Sequence, residues 1–294
     1  MTISAARTDG DGADIYSLEN ERYSVEAHKM VKVAAGNVTV NNHIKTDTVS
    51  TGGTTGSLTL ANGADAETLN EVIAASGDVT FLNMAAENET ATGGQTSISL
   101  NKLEIGAGKT VSFYEAAAPV SIDQLAQEAS VSVVGTLTAG QGATLNADLV
   151  MEKGSTLDVR GTGGTGLLMG SEVTLNKGMT LSDYSGEWAS WEAGTTYTLF
   201  TGVDGLDIGN GVTTGTMDYT AWVDAKEYFS NIQESNRYFL CYGGAPAQDS
   251  VGVLSAVNDG SNVGMIYIMT VPEPATSTLS LLALAALAAR RRRR

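Results

Sequence analysis

His28, His43 and Cys241 are the side chains best suited to act as nucleophile, base or soft metal ligand. A catalytic Cys needs a nearby base to form thiolate, yet the two histidines have no His partner at helical or turn spacing. Cys241 lies in an aromatic stretch and reads as a small buried hydrophobe. As the single Cys of the chain, it excludes an intrachain disulfide and a Cys-based zinc site. No Gly-x-Ser-x-Gly elbow is present. The Gly-rich segments Thr51–Gly56 and Gly161–Gly166 lack the Lys of a phosphate loop and read as turns or loops. Asp183 with Glu187, and Asp204 with Asp207, have the residue types of a glycosidase pair but belong to no motif, so solvated surface acids are the expectation. Asp9-Gly-Asp-Gly-Ala-Asp14 resembles one unit of a stacked calcium nonapeptide, but it stands alone. It also lacks the Gly and Glu positions of an EF-hand loop. No catalytic residue, metal ligand or cofactor is assigned.

Composition narrows the partners. The 294 residues carry a formal net charge of −16, with 17 basic and 33 acidic side chains. Five of the basic residues are the terminal Arg290, Arg291, Arg292, Arg293 and Arg294, so the chain up to residue 270 holds 12 basic against 32 acidic groups. A body this acidic repels a phosphate backbone, which excludes nucleic acid, and it is a poor receptor for an anionic polymer. The length suits one elongated domain or two compact ones.

The elements that must carry these residues read as β. Short stretches launched by Gly recur at Gly36–Val40, Gly56–Leu60, Gly77–Phe81, Gly108–Phe113, Gly154–Val159 and Gly178–Leu181. In the first three, Val38 and Val40, Leu58 and Leu60, and Val79 and Phe81 alternate with Thr, the pattern of strands with one buried face. A rung of about 20 residues whose strand pairs with its counterpart in the next coil is the β-solenoid arrangement. It suits a chain with 6% aromatics, because stacked rungs bury modest aliphatic side chains. The competing architecture is a β-sandwich; the long connections Ala61–Ser76 and Glu115–Ser130 favour the solenoid. Within them, Asp65–Ala75 and Ser121–Ala129 open with capping and acidic residues, which predicts two or three helical turns in each.

Thirteen of the 18 aromatic residues lie between Tyr184 and Tyr267, among them Trp188, Trp191 and Trp222. One reading is a carbohydrate-stacking platform. The favoured one is a cap over the last rung, since terminal repeats must be covered. The organisation expected is an acidic, flexible segment over 1–30, solenoid repeats over 31–183, an aromatic-rich β cap over 184–270 and a separate tail over 271–294.

That tail reads Val271-Pro272-Glu273-Pro274, a Leu/Ala-rich run from Ala275 to Ala289 free of charge, Gly and Pro, and then Arg290 to Arg294. The two prolines enforce an extended break, after which the run should be a hydrophobic helix. At 1.5 Å per residue it reaches ~22 Å, against ~30 Å for a hydrocarbon core. Arginines closing an apolar run are the positive-inside pattern of a cytoplasmic stop, with the body outside.

These residues resemble the PEP-CTERM sorting signal, in the form common in Verrucomicrobia. The resemblance implies an exosortase-type transpeptidase as partner, with Val271, Pro272, Glu273 and Pro274 as the sorting motif. It further implies membrane anchoring through the C-terminal helix until processing, and placement in the cell envelope or extracellular matrix, where surface polysaccharide is a candidate partner. Glu192–Gly202, Tyr228-Phe229 and Arg237–Gly243 resemble the closing segment of long PEP-CTERM and autotransporter-type passenger proteins. The expected role is structural or adhesive, without catalysis; the alternatives are a glycan-binding module or a carbohydrate-active β-helix enzyme. Export requires a basic then apolar leader, which Met1–Gly10 does not contain, so the true start is expected upstream.

Overall fold

A computed structural model describes residues 2–4, 13–14, 25–40, 44–52, 56–61, 63–84, 97–115, 129–182, 184, 187–209, 221–235, 237–248 and 254–271. The described residues form strands and two short 3-10 turns, Glu187–Ser190 and Ala225–Glu227, with no α-helix among them. The described residues are all-β, as the alternating pattern predicts, and their strands make two sheets rich in parallel pairing.

All six Gly-launched stretches contain strands, each beginning two residues after its glycine. Val38–Val40, Leu58–Leu60, Val79–Phe81 and Thr110–Phe113 stack in parallel in one sheet. Their registers align Val38, Leu58, Val79 and Val111 in one inward column and Val40, Leu60, Phe81 and Phe113 in another. All eight are buried, and each is worth roughly 1.5–3 kcal/mol relative to exposure. The Phe81 and Phe113 rings stack at 4.6 Å. Thr39, Thr59, Thr80 and Ser112 share register on the opposite face.

The last two Gly-launched strands, Thr156–Gly161 and Thr180–Leu181, belong to the other sheet. That sheet also holds strands that the alternation does not mark: Val25–Ala35, Ile44–Thr51, Glu71–Ala74, Ser97–Ile105 and Ser130–Gly140. Its buried column runs Val31, Val49, Val72, Leu103, Leu137, Leu157 and Leu181. From Val25 to Asp207 the chain passes from one sheet to the other and back, and its strands pair in parallel with strands of neighbouring passes, Thr196–Thr201 also pairing antiparallel with Leu254–Thr270. A single hydrophobic cluster joins the two inner faces, from Val31 to Ile268.

The helical expectation for Asp65–Ala75 is corrected. Asp65 does cap a turn, accepting from the Glu67 N–H at 2.9 Å, and its carbonyl accepts from the Leu69 N–H at 3.0 Å. The chain then extends into Glu71–Ala74, which lies between Thr48–Thr51 and Lys102–Ile105. Pairing on both sides, with Val72 and Ala74 buried, outweighs the local capping signal. Ser121–Glu128 lies outside the described residues. Within the N-terminal stretch expected to be flexible, Thr2–Ser4 pairs with Lys32–Ala35 and Ala13–Asp14 with Val38–Thr39.

The launching glycines serve different needs. Gly154 and Gly178 have φ of 86° and 93°, a region that L side chains rarely adopt. Gly77 instead packs on the preceding pass: a Cβ there would lie 1.1 Å from the Gly56 carbonyl oxygen.

After Thr196–Thr201 the sheet that holds Val38–Val40 changes character. Leu254–Thr270, Tyr238–Gln248 and Ala221–Asp224 complete it with antiparallel pairing. Residues 227–231 run along residues 177–181 and cover the edge strand Thr180–Leu181. The Gly178 and Met179 amides donate to the Tyr228 carbonyl, and the Ser230 amide donates to the Met179 carbonyl. Asn231 acts as a surrogate backbone, accepting from the Leu181 N–H at 3.1 Å and donating to its C=O at 2.7 Å. An open parallel edge is thereby closed.

Candidate functional site

The strand Leu254–Thr270 brings the chain to the point where the expected sorting motif begins. Its residues 266–269 lie between Thr196–Thr201 and Tyr238–Gln248, so both edges are occupied there. Alternation sends Ile266 and Ile268 into the main core and Tyr267 to the opposite face, where it joins Phe239, Cys241 and Val271 in a second buried cluster. Trp222, Met265 and Met269 flank that cluster, with the Trp222 and Phe239 rings edge-on at 5.0 Å.

The strand's last residues are firmly held. The Thr270 N–H donates to the Thr195 carbonyl at 2.9 Å, and the Thr270 carbonyl accepts from the Gly194 N–H at 2.6 Å. Tyr238 pairs with Thr270 from the other side. The Val271 N–H donates to the Arg237 carbonyl at 2.9 Å, and its side chain is 4% exposed. These partners act through their backbones, so no residue type in the sequence advertises them.

Inside the same end, the short turn Glu187–Ser190 supplies Trp188 to an aromatic group with Tyr184, Trp191, Tyr197 and Tyr238. Trp188 is buried and stacks on half-buried Trp191 at 4.7 Å. Tyr184 donates its hydroxyl to Glu234. Burial first, and that bond second, push the Tyr184 hydroxyl up to about 12, while the same bond holds the Glu234 carboxyl below its ordinary value. Tyr228 donates to the Ile208 carbonyl at 2.8 Å. The equally buried Tyr238 hydroxyl has no hydrogen-bond partner among the described residues.

The other chemical candidates are not drawn together by the described fold. Cys241 is fully buried, with Sγ 3.5 Å from the Phe239 carbonyl. Burial pushes its thiol far up, so at neutral pH it stays protonated. The strand Val25–Ala35 includes His28; His43, Asp183 and residues 9–12 lie outside the described residues. Asp207 accepts from the Gly209 N–H at 2.7 Å within its own turn, and Asp204 is exposed. Asp158 is engaged by Arg160, which holds its carboxyl below the usual range. Among the described residues, no group of three or more His, Cys, Asp or Glu is arranged to hold a metal ion. Gly161–Gly166 is a turn, as expected: Thr162 Oγ1 donates to the Val159 carbonyl at 2.7 Å and accepts from the Gly166 N–H at 3.2 Å.

Of the tail residues, Val271 is described. Pro272, Glu273, Pro274, the expected hydrophobic helix and Arg290 to Arg294 lie outside the described residues. Among the described residues, no helix is long and apolar enough to cross a membrane.

Comparison with known families finds one match: residues 270–294 fit the PEP-CTERM protein-sorting motif. No curated protein and no solved structure matches the chain. The motif marks a secreted, cell-envelope-targeted protein with a C-terminal sorting signal.

Proposed function

We propose that this protein is a structural or adhesive component of the cell envelope or extracellular matrix. Its body is a β-solenoid closed by an aromatic-rich cap, and its tail is read by an exosortase-type transpeptidase. The observation that carries the reading is the sorting-motif match over residues 270–294, joined directly to the folded end of the body at Val271. The two sheets rich in parallel pairing, visited in turn by the chain, support the solenoid. The strands Ala221–Asp224 and Tyr238–Gln248 and the segment 227–231 along Thr180–Leu181 support the cap.

In this reading Val271, Pro272, Glu273 and Pro274 form the recognised segment, and the run to Ala289 is a transient anchor. The arginines hold the extreme C-terminus in the cytoplasm. An elongated stack of backbone-paired strands suits mechanical or adhesive work, because each added strand bonds along its length to its neighbours.

The test compares intact mass and cell fractionation of the full-length protein in its native host with a Pro272→Ala/Pro274→Ala double variant. Wild type recovered at the surface should lack the tail, and the variant should stay uncleaved in the membrane fraction. Wild type that keeps its arginines and stays in the cytoplasm overturns the proposal. A glycan partner is the second reading, favoured by Trp191 and Trp222, which remain half-buried. It requires that Trp191→Ala or Trp222→Ala weaken retention in gels containing envelope polysaccharide.

A further inference from the structure

The two sheets turn different chemistry outward. On the sheet that holds Val25–Ala35, register places Glu71 beside Lys102, and Glu104 and Asp158 on either side of Thr138. These charges pair locally, Lys102 with Glu104 at 2.8 Å and Arg160 with Asp158, and a partner laid on them would have to strip their water. On the other sheet, Thr39, Thr59, Thr80, Ser112 and Asn146 share one register column. At ~4.8 Å between strands the column spans ~19 Å. The column beside it runs Thr110, Thr144, Leu168 and Thr201. Thr39, Thr59, Thr80 and Thr144 are half-buried, and Leu168 is 46% exposed. In a chain with 33 acidic residues, the strands of this sheet from Val38–Val40 to Thr196–Thr201 contain no charged residue. The same face continues onto the antiparallel strands, where Thr198 is in register with Tyr267, Tyr267 with Cys241, and Cys241 with Trp222. Trp222, Met265 and Met269 are half-buried there.

We propose that this outward face binds an uncharged polysaccharide, with the glycan running across the strands from the Thr column toward Trp222. The inference rests on the glycan reading above and deepens it, naming the ligand class and placing the contact on one sheet face and not at Trp191. A sugar ring carries hydroxyls round its edge and C–H groups on its two faces. The Thr, Ser and Asn column offers donors and acceptors at a regular interval to the hydroxyls. Leu168, Trp222 and the two methionines offer apolar contact to the C–H faces. Binding costs least where no charge has to shed water, and the centres of binding interfaces are depleted of charged residues. A charged polymer finds no counterpart here. The strands of the Thr column hold no cation for an anionic chain, which the acidic body also repels. Asp78, at the head of its strand, is engaged by the Thr110 N–H at 2.9 Å, and Asp224, at the far edge, by the Lys226 N–H at 3.1 Å and the Ser235 hydroxyl at 2.8 Å.

The experiment is affinity electrophoresis of the protein recovered from its native host, in gels containing either the uncharged or the anionic fraction of that host's envelope polysaccharide, separated by anion exchange. Wild type is compared with Thr59→Glu/Thr80→Glu, Thr59→Val/Thr80→Val, Trp191→Ala and Thr136→Glu/Thr156→Glu, the last a register pair of the same chemistry on the other sheet. The uncharged fraction should retard wild type. The Glu pair at Thr59 and Thr80 is expected to weaken that retention about tenfold or more, since each carboxylate must give up water to the glycan. The Val pair suits a strand and removes only the hydroxyls, so it tests the face even where the Glu pair fails to fold; it should weaken retention about threefold. Trp191→Ala and the Glu pair on the other sheet should match wild type. Retention kept in both Thr59 and Thr80 double variants overturns the proposed face, and its loss in Trp191→Ala then leaves the glycan reading standing. A preference for the anionic fraction, or equal loss from the two Glu pairs, overturns the proposal likewise. Retention by neither fraction overturns the glycan reading and this inference together, and a wild-type dimer in sedimentation that the Thr59 and Thr80 variants dissociate would then assign the face to a second copy of the chain.

Discussion

Between Val25 and Leu181 the buried columns are built mainly from Val, Leu, Ile, Ala and Met, and among the described residues the Phe81–Phe113 stack is the aromatic pair within them. Between Ala221 and Thr270 the strands turn antiparallel, and Tyr, Trp and Phe supply the packing. The contrast follows from what lies beyond each strand. A strand in the parallel stack meets a similar strand on each side, so small repeated side chains fill the narrow space layer by layer. At the end of the stack there is no next layer, and a few large rings must cover the interior and the last edge together. The difference teaches that the repeated region and its closure need opposite compositions to reach one continuous core.

The largest test of this contrast is loss of a ring from the stack. Phe113→Ala is expected to lower unfolding stability by ~3–5 kcal/mol in urea denaturation, since a neighbouring layer cannot shift to refill the space. Next is Gly77→Ala, where the new Cβ meets the Gly56 carbonyl; overpacking of backbone against backbone is expected to cost ~1–3 kcal/mol or more. A loss below ~0.5 kcal/mol would show that the passes are not held at this spacing.

Two tyrosines at the closing end sharpen the comparison further. Tyr228→Phe strands the buried Ile208 carbonyl and is expected to cost ~1–3 kcal/mol, whereas Tyr238→Phe removes an unpartnered hydroxyl and is expected to be neutral or slightly stabilising. Equal losses would break the distinction.

Tyr184 adds a pH dependence confined to the closing end. Its folded value of about 12 lies above the ~10 of a free tyrosine. The stability it contributes is therefore complete below pH ~10 and is lost as pH rises through about 12. In Tyr184→Phe the urea midpoint should fall less steeply over that window than in wild type. The smallest expected effect is a difference of nearly zero between two probes. Trp188, Trp191 and Trp222 are all at or near the closing end, while far-UV circular dichroism reports all the strands. Because one hydrophobic cluster runs from Val31 to Ile268, the two unfolding curves should coincide. Separate midpoints would divide the molecule into independent units.

The two sheets differed in legibility for a physical reason. Val38–Val40, Leu58–Leu60 and Val79–Phe81 show their pairing because an apolar inner face alternates with Thr outside. Ile44–Thr51 hides it, since Thr46, Thr48, Ser50 and Thr51 are themselves buried. Thr51 manages this by donating its hydroxyl to the Gly77 carbonyl at 2.7 Å and accepting from the Gly77 N–H at 3.2 Å, a contact 26 residues away that no local pattern encodes. Glu71–Ala74 follows a capped turn and became a strand because neighbours on both sides were waiting to pair with it. The sorting motif was legible because it is a linear signal of residue types in fixed order. The anchoring of Thr270 and Val271 was not, since it is made by the backbones of Gly194 and Thr195 for the one and of Arg237 for the other.

By itself, then, the sequence determined the β class, the strands with alternating faces, the positions of their turns and the sorting motif. Each of these is written in residue types a few positions apart. Tertiary structure alone decided which sheet each strand joins, why Gly77 admits no side chain, which hydroxyls find partners and how closely the fold approaches the motif. Those outcomes depend on backbone groups meeting across tens of residues, and a backbone amide or carbonyl is chemically the same at nearly every position until the fold places it.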